Sequence, residues 1–125
     1  MMVLDAGALV AIERGDPLTH ALLKVELLAR RPPVTHGGVL GQVWRGDGRR
    51  QARIARILPA IKVVPLDRAL GQRAGELLGR ARKTDVVDAA VVLLATDGDT
   101  IVTSDPGDLE ALAKAAGVHV DLVRV

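Results

Sequence analysis

Short, mostly apolar runs alternate along this chain with longer stretches whose apolar residues recur every three to four positions. The short runs are Met2 to Leu4, a brief one from Val34, Ile61 to Pro65, Thr100 to Thr103 and His119 to Val123. They predict strands, and their lack of polar alternation predicts strands buried on both faces, as in a parallel sheet. Between them the helical period predicts a helix from Ala6 to about Arg14 that stops at Gly15. A second opens at Asp16-Pro17, carries Leu18, Leu22, Val25 and Leu28, and ends between Arg30 and Pro33. A third runs from Gly37-Gly38 through Trp44 and breaks at Gly46 to Gly48, before an arginine-rich helix that reaches Leu58 and is closed by Pro59. Asp67 is the expected N-cap of a long helix carrying Leu70, Ala74, Leu77, Leu78 and Ala81. Thr84-Asp85 caps the next, Val86 to about Ala95, and Asp105-Pro106 starts the last, which ends near Gly117.

Strands separated by helices in this order predict an α/β fold: a three-layer sandwich with a central parallel sheet of about five strands and helices on both faces. With 125 residues, the chain is expected to be one domain, residues 1–125. Its core must be aliphatic, because Phe and Tyr are absent and Trp44 is the single aromatic residue. Trp44 is the expected core anchor, with a partner-facing position as the alternative. So few aromatics also argue against stacking platforms for single-stranded nucleic acid, leaving electrostatic contact as the main route to it. No apolar run approaches the length of a membrane span. The start MMVLDAGALV lacks a basic leader, and with no cysteine the expected location is cytoplasmic.

The net charge of +2 hides a polarised chain. Between residues 30 and 56 seven arginines face one acid, Asp47, and from Asp85 to Ala113 seven carboxylates occur with no Lys or Arg among them. The first segment reads as a solvated face or a phosphate-binding patch. In the second, Asp105 follows the strand TIVT with only Ser104 between, and Asp5 follows the first strand. Both are therefore expected at the carboxyl ends of strands, where open α/β sheets place their functional crevice. Asp88 lies three residues after Asp85 and projects near the same helix start. For Asp85, Asp108 and Asp16 the plain reading is a helix cap or dipole partner. Asp5 sits between apolar segments with no cation nearby in sequence, so a hard divalent cation held by oxygen ligands, Mg²⁺ or Mn²⁺, is an economical counter-charge. The alternative is a set of acidic caps partnered by distant arginines.

Four pieces in order, VLDAGALVA, a Pro-Val-Thr segment leading into VLGQVWRG, DAAVVLLA and TSDPGDL, resemble a PIN-domain ribonuclease of the VapC toxin type along the whole chain. The resemblance implies a PIN-like sandwich and a metal-dependent endoribonuclease, a dimeric toxin neutralised by a cognate antitoxin. It implies Asp5, Asp88 and Asp105 as the catalytic, metal-binding carboxylates. Thr103 corresponds to an accompanying hydroxyl that orients a carboxylate or ligating water. Where the family has a further Glu, this chain has Gln42, which keeps the shape but lacks a charge and should weaken metal binding. Glu13 is a poor substitute, since eight residues of helix carry it about 12 Å from Asp5. Asp108 is the spare proton acceptor, and Arg45, Arg49, Arg50 and Arg53 are the expected contacts to RNA phosphates. The antitoxin is expected across the helices from Asp16 to Arg31 and Gly37 to Leu58, with a basic side chain placed near the acidic crevice.

Two other classes fit parts of the pattern. A non-catalytic PIN-like module, binding RNA or regulating a partner, would tolerate Gln42. A phosphoacceptor receiver domain shares the length and an acidic pocket, but expects adjacent acids after the first strand and a late Lys where Ser104-Asp105 stands.

Overall fold

The computed structural model describes residues 1–125. Five strands, β1 (Met2–Leu4), β2 (Val34–His36), β3 (Lys62–Val64), β4 (Thr100–Thr103) and β5 (Asp121–Arg124), form one sheet in the order β3-β2-β1-β4-β5. All four pairings are parallel. Val3 pairs with both Val34 and Ile101, so β1 is the centre of the sheet. Val3, Leu4, Ile101 and Val102 have no exposed surface, as expected for strands covered on both faces.

The helices are α1 (Ala6–Arg14), α2 (Pro17–Leu28), α3 (Gly37–Val43), α4 (Ala52–Ile57), α5 (Arg68–Ala81), α6 (Val86–Leu94) and α7 (Pro106–Ala116). Helix α1 packs on α2, α3 and α4, while α5, α6 and α7 pack on one another, giving a layer on either side of the sheet. The three-layer α/β sandwich expected from the sequence is the fold observed. One continuous core of aliphatic side chains runs through both interfaces, with Leu9 and Ile12 of α1, Leu77 of α5 and Leu109 and Leu112 of α7 fully enclosed.

Three expectations shift. The arginine-rich helix is short: α4 begins only at Ala52 and passes into a 3₁₀ turn, Leu58–Ala60, that contains Pro59. Arg45, Arg49 and Arg50 therefore lie in the preceding loop. That loop is tied down by buried Gln51, whose Oε1 accepts from the amides of Arg45 (2.8 Å) and Gly46 (3.0 Å) while Nε2 donates to the Val43 carbonyl (2.7 Å). Trp44 is not a core anchor: it is 39% exposed. Helix α3 stops at Val43, and the extended backbone at Trp44 (ψ 130°) carries the residue outward. Finally, the face of α2 that carries Leu18, Val25 and Leu28 is turned to solvent, with Leu28 75% exposed; Leu23 is the α2 leucine that enters the core.

Candidate active site

The order of the strands fixes where a site can form. From β1 the chain proceeds to β2 and β3 on one side of the sheet, then crosses to β4 and β5 on the other. Helix α1 leaves β1 for one face and α7 leaves β4 for the opposite face, so a crevice opens between their first turns. Asp5 and Asp105 are the N-cap residues of these two helices.

What their side chains do separates them from the other capping aspartates. Asp16 accepts from the Thr19 amide, Asp67 from the Leu70 amide, and Asp85 from the amides of Val87 and Asp88. Neither Asp5 nor Asp105 makes a side-chain capping bond. Their carboxylates are left for the crevice. Asp5 is 9% exposed and accepts a hydrogen bond from the Thr103 hydroxyl at 2.8 Å. That same oxygen of Thr103, fully buried, accepts from the Asp105 amide at 3.1 Å. A hydroxyl can donate once and accept as well, so Thr103 joins the ends of β1 and β4 through one atom. Gly7 permits this closeness, because a Cβ there would stand 2.6 Å from the Cβ and the amide nitrogen of Ser104.

Asp88 enters from the first turn of α6, which packs against β1 and β2. The end of β2 holds that turn in place: fully buried His36 accepts from the Gly38 amide at Nδ1 (3.0 Å), and its Nε2 donates to the Val87 carbonyl (3.0 Å). Burial pushes the Asp88 carboxyl up to about 6, and the negative charges of Asp85, Asp5, Asp108 and Asp105 push it the same way. Three carboxylates far apart in sequence thus share one electrostatic neighbourhood with Asp108 at its rim. The acidic stretch is not without cations once folded. Lys83 Nζ stands 3.0 Å from Asp108 Oδ1, and the terminal amino group stands 2.9 Å from Asp99, at the far end of β4.

The donor chemistry suits a hard divalent cation: carboxylate oxygens, one buried, in a negative potential that adds to burial in raising the Asp88 carboxyl to about 6. The geometry is open, since no three acidic or histidine side chains converge closely enough to enclose an ion. An ion would have to draw them together.

The other expected residues make no hydrogen bond or ion pair with these carboxylates. Gln42 is exposed on the last turn of α3, its carbonyl taken by Arg45 Nη2 at 3.0 Å. Arg45 folds back on carbonyls of its own helix end, and Arg50 lies 3.6 Å from Asp47. Arg49 is exposed in the same loop. Arg53 Nη1 donates to the Glu13 carbonyl at 2.9 Å, at the end of α1 about 12 Å along the helix from Asp5. Glu13 itself caps α4, accepting from the Ile54 amide, and is no fourth ligand. Sequence reasoning missed Gly7, His36 and Lys83. Lys83 could have been noticed as the cation immediately before the acidic stretch; the other two carry no sequence signal that separates them from ordinary Gly and His.

No protein-family profile and no curated protein matches the sequence. Solved structures do. Over 97% of both chains, with a TM-score of 0.68 and 14% identity, the fold is similar to a chain of VapBC2 from Rickettsia felis bound to a promoter DNA fragment. FitAB bound to a DNA fragment gives 0.66 and 14% identity over 98% of this chain and 94% of that one. VapC20 of Mycobacterium tuberculosis, a toxin that cleaves the sarcin-ricin loop, gives 0.51 and 20% identity over 94% and 85%. The protein therefore has the fold of PIN-domain toxins. The receiver alternative falls on topology, because that fold orders its strands 2-1-3-4-5.

Proposed function

We propose that this protein is a metal-dependent endoribonuclease toxin of the VapC type, held in check by a cognate antitoxin. The observation that carries the reading is the pair of N-cap aspartates that do not cap. Asp5 and Asp105 flank the crevice at the point where the strand order reverses, joined through Thr103, with Asp88 facing them from α6. A carboxylate left without backbone partners in such a place costs stability unless a ligand uses it.

Asp5, Asp88 and Asp105 would hold Mg²⁺ or Mn²⁺, which when bound lowers the pKa of a water and offsets charge on a phosphodiester. Thr103 fixes the rotamer of Asp5 and leaves its second oxygen free. Asp85 is spent on the α6 amides and contributes field rather than ligand atoms. Asp108, at the rim, can take a proton from the attacking water. Arg45, Arg49, Arg50 and Arg53 would act on RNA at a distance from the cut, as an outer phosphate-binding surface. The antitoxin reading rests on an open groove of about 410 Å³ between α2 and α4, with Leu27 and Ile57 in its floor and Arg53 and Arg56 at its edge. Together with exposed Leu28 and Val25 it suits an apolar segment bearing acids.

Gln42 and the open geometry favour one other reading, a PIN-like module that binds RNA without cutting it. RNA cleavage by the purified protein in Mn²⁺ and Mg²⁺, beside Asp5→Asn and an EDTA control, decides between them. Metal-dependent cuts lost in the variant support the nuclease. Binding without cleavage at any metal concentration supports the module.

A further inference from the structure

The crevice carries a cation of its own, and its setting is unusual. Lys83 lies in the turn between α5 and α6. Arg82, just before it, adopts the left-handed region with φ 54° and donates its amide to the Leu78 carbonyl. The Lys83 amide donates to the same carbonyl at 3.1 Å. Two residues later Asp85 caps α6. The base of Lys83 is thus fixed by the end of one helix and the start of the next, and a non-glycine residue is held in a conformation it enters at a cost. From that base the side chain reaches Asp108 on the first turn of α7, 3.0 Å away. This is the one ion pair made by any carboxylate of the crevice, since Asp5, Asp88 and Asp105 have none.

We propose that Lys83 is a phosphate latch: its ammonium rests on Asp108 in the free protein and transfers to a backbone phosphate when an RNA strand lies across the crevice. The proposal rests on the ribonuclease reading and adds a positioning residue to it. Both partners are open to water, with side-chain exposures of 36% for Lys83 and 56% for Asp108. An exposed pair of this kind is weakly held and exchanges readily. A phosphodiester offers the same charge, and its release of counterions favours the exchange. Arg80, on the last turn of α5, and Arg82, its C-cap, are exposed close to Lys83 in sequence and add positive charge to this end of α5. Asp108 is then an internal competitor for the cation, and removing it frees the latch.

The test is binding of a fluorescein-labelled single-stranded RNA in EDTA, where no strand is cut, with thermal melts as a control for folding. Lys83→Ala should weaken binding about 5-fold and lower the slope of log K against log salt by about 0.7 to 1. Lys83→Arg should restore both. Asp108→Asn should tighten binding about 2- to 5-fold, the opposite sign. A pair that only fastens the α5–α6 turn to α7 would make Lys83→Ala and Asp108→Asn act alike, and that result overturns the latch. Unchanged affinity and slope in Lys83→Ala, with RNA still bound, also overturns it and leaves the ribonuclease reading standing. Failure of the parent protein to bind RNA at low salt overturns both.

Discussion

Asp88→Asn is expected to make the metal-free protein more stable, by an amount that depends on pH. The Asp88 carboxyl is pushed up to about 6 by burial and by Asp85, Asp5, Asp108 and Asp105, against an ordinary value of 3.8. Below both values the carboxyl is protonated whether the chain is folded or not, and it costs nothing. Between them the folded protein keeps a proton that the unfolded chain has released, so stability falls as pH rises. Above about 6 the full penalty applies. The difference between the two values corresponds to a ceiling of about 3 kcal/mol. Because the group is only half-buried, screening reduces this to about 1 kcal/mol. Asparagine copies the neutral form. Urea unfolding of parent and variant in EDTA from pH 4 to pH 8 should therefore give curves that meet near pH 4 and separate by about 1 kcal/mol at pH 7.5, with the variant the more stable. A difference that stays constant with pH would refute the claim that negative charge accumulates at Asp88. Asp85→Asn is a poorer probe, because it also weakens two capping bonds.

Gly7→Ala should cost about 1 to 3 kcal/mol by overpacking, since its Cβ would meet the Ser104 backbone at 2.6 Å, and should disturb the Thr103–Asp5 contact; equilibrium melts and amide chemical shifts at Asp5 and Asp105 check it. Gly75→Ala and Gly79→Ala in α5 meet nothing within 4 Å and should each stabilise by about 0.5 to 1 kcal/mol in thermal melts, a loss instead meaning that this helix face packs on something in solution. Gln42→Glu should tighten Mn²⁺ binding and lower metal-free stability if α3 brings that position to the crevice, and calorimetric titration showing no change in affinity would place it outside.

The sheet was legible because its central strands are short, mostly apolar and buried on both faces, although the edge strands β3 and β5 carry exposed Lys62, Asp121 and Arg124, and the order of caps along the chain marked nearly every helix start. The element that misled was the one with the weakest pattern. Between Gly46 and Gln51 there is no apolar period, and the structure there depends on the buried side-chain amide of Gln51 and on Asp47, which accepts from the amides of Arg49 and Gln51, bonds that composition cannot reveal. Trp44 misled for a related reason: its size argues for burial, while its place one residue beyond the end of α3 decides its exposure. In the site, the sequence could rank Asp5 and Asp105 as strand-end acids. It could not tell that they leave their helices uncapped, because a capping and a non-capping aspartate occupy the same position and differ only in rotamer.

That difference explains how the crevice tolerates its charge. The first turns of α1, α6 and α7 all open onto it, and the unpaired amides of a helix start carry positive partial charge. Three helix ends together offset Asp5, Asp85 and Asp105 without a salt bridge, which would occupy the same oxygens a ligand needs; only Asp108, at the rim, has one. Asp85 takes its share directly, through two amides. Asp5 and Asp105 sit at the helix ends and lie in the dipole field with their oxygens uncommitted to it. Asp88 is one turn further in, where the dipole has weakened, and burial pushes its carboxyl up to about 6, with the charges of Asp85, Asp5, Asp108 and Asp105 acting the same way. The negative potential that makes the crevice a candidate for a cation thus acts on a half-buried carboxylate that the helix ends help little. A cation reaching the crevice would therefore displace a proton from Asp88 first, and below about pH 6 its binding should weaken as that proton competes.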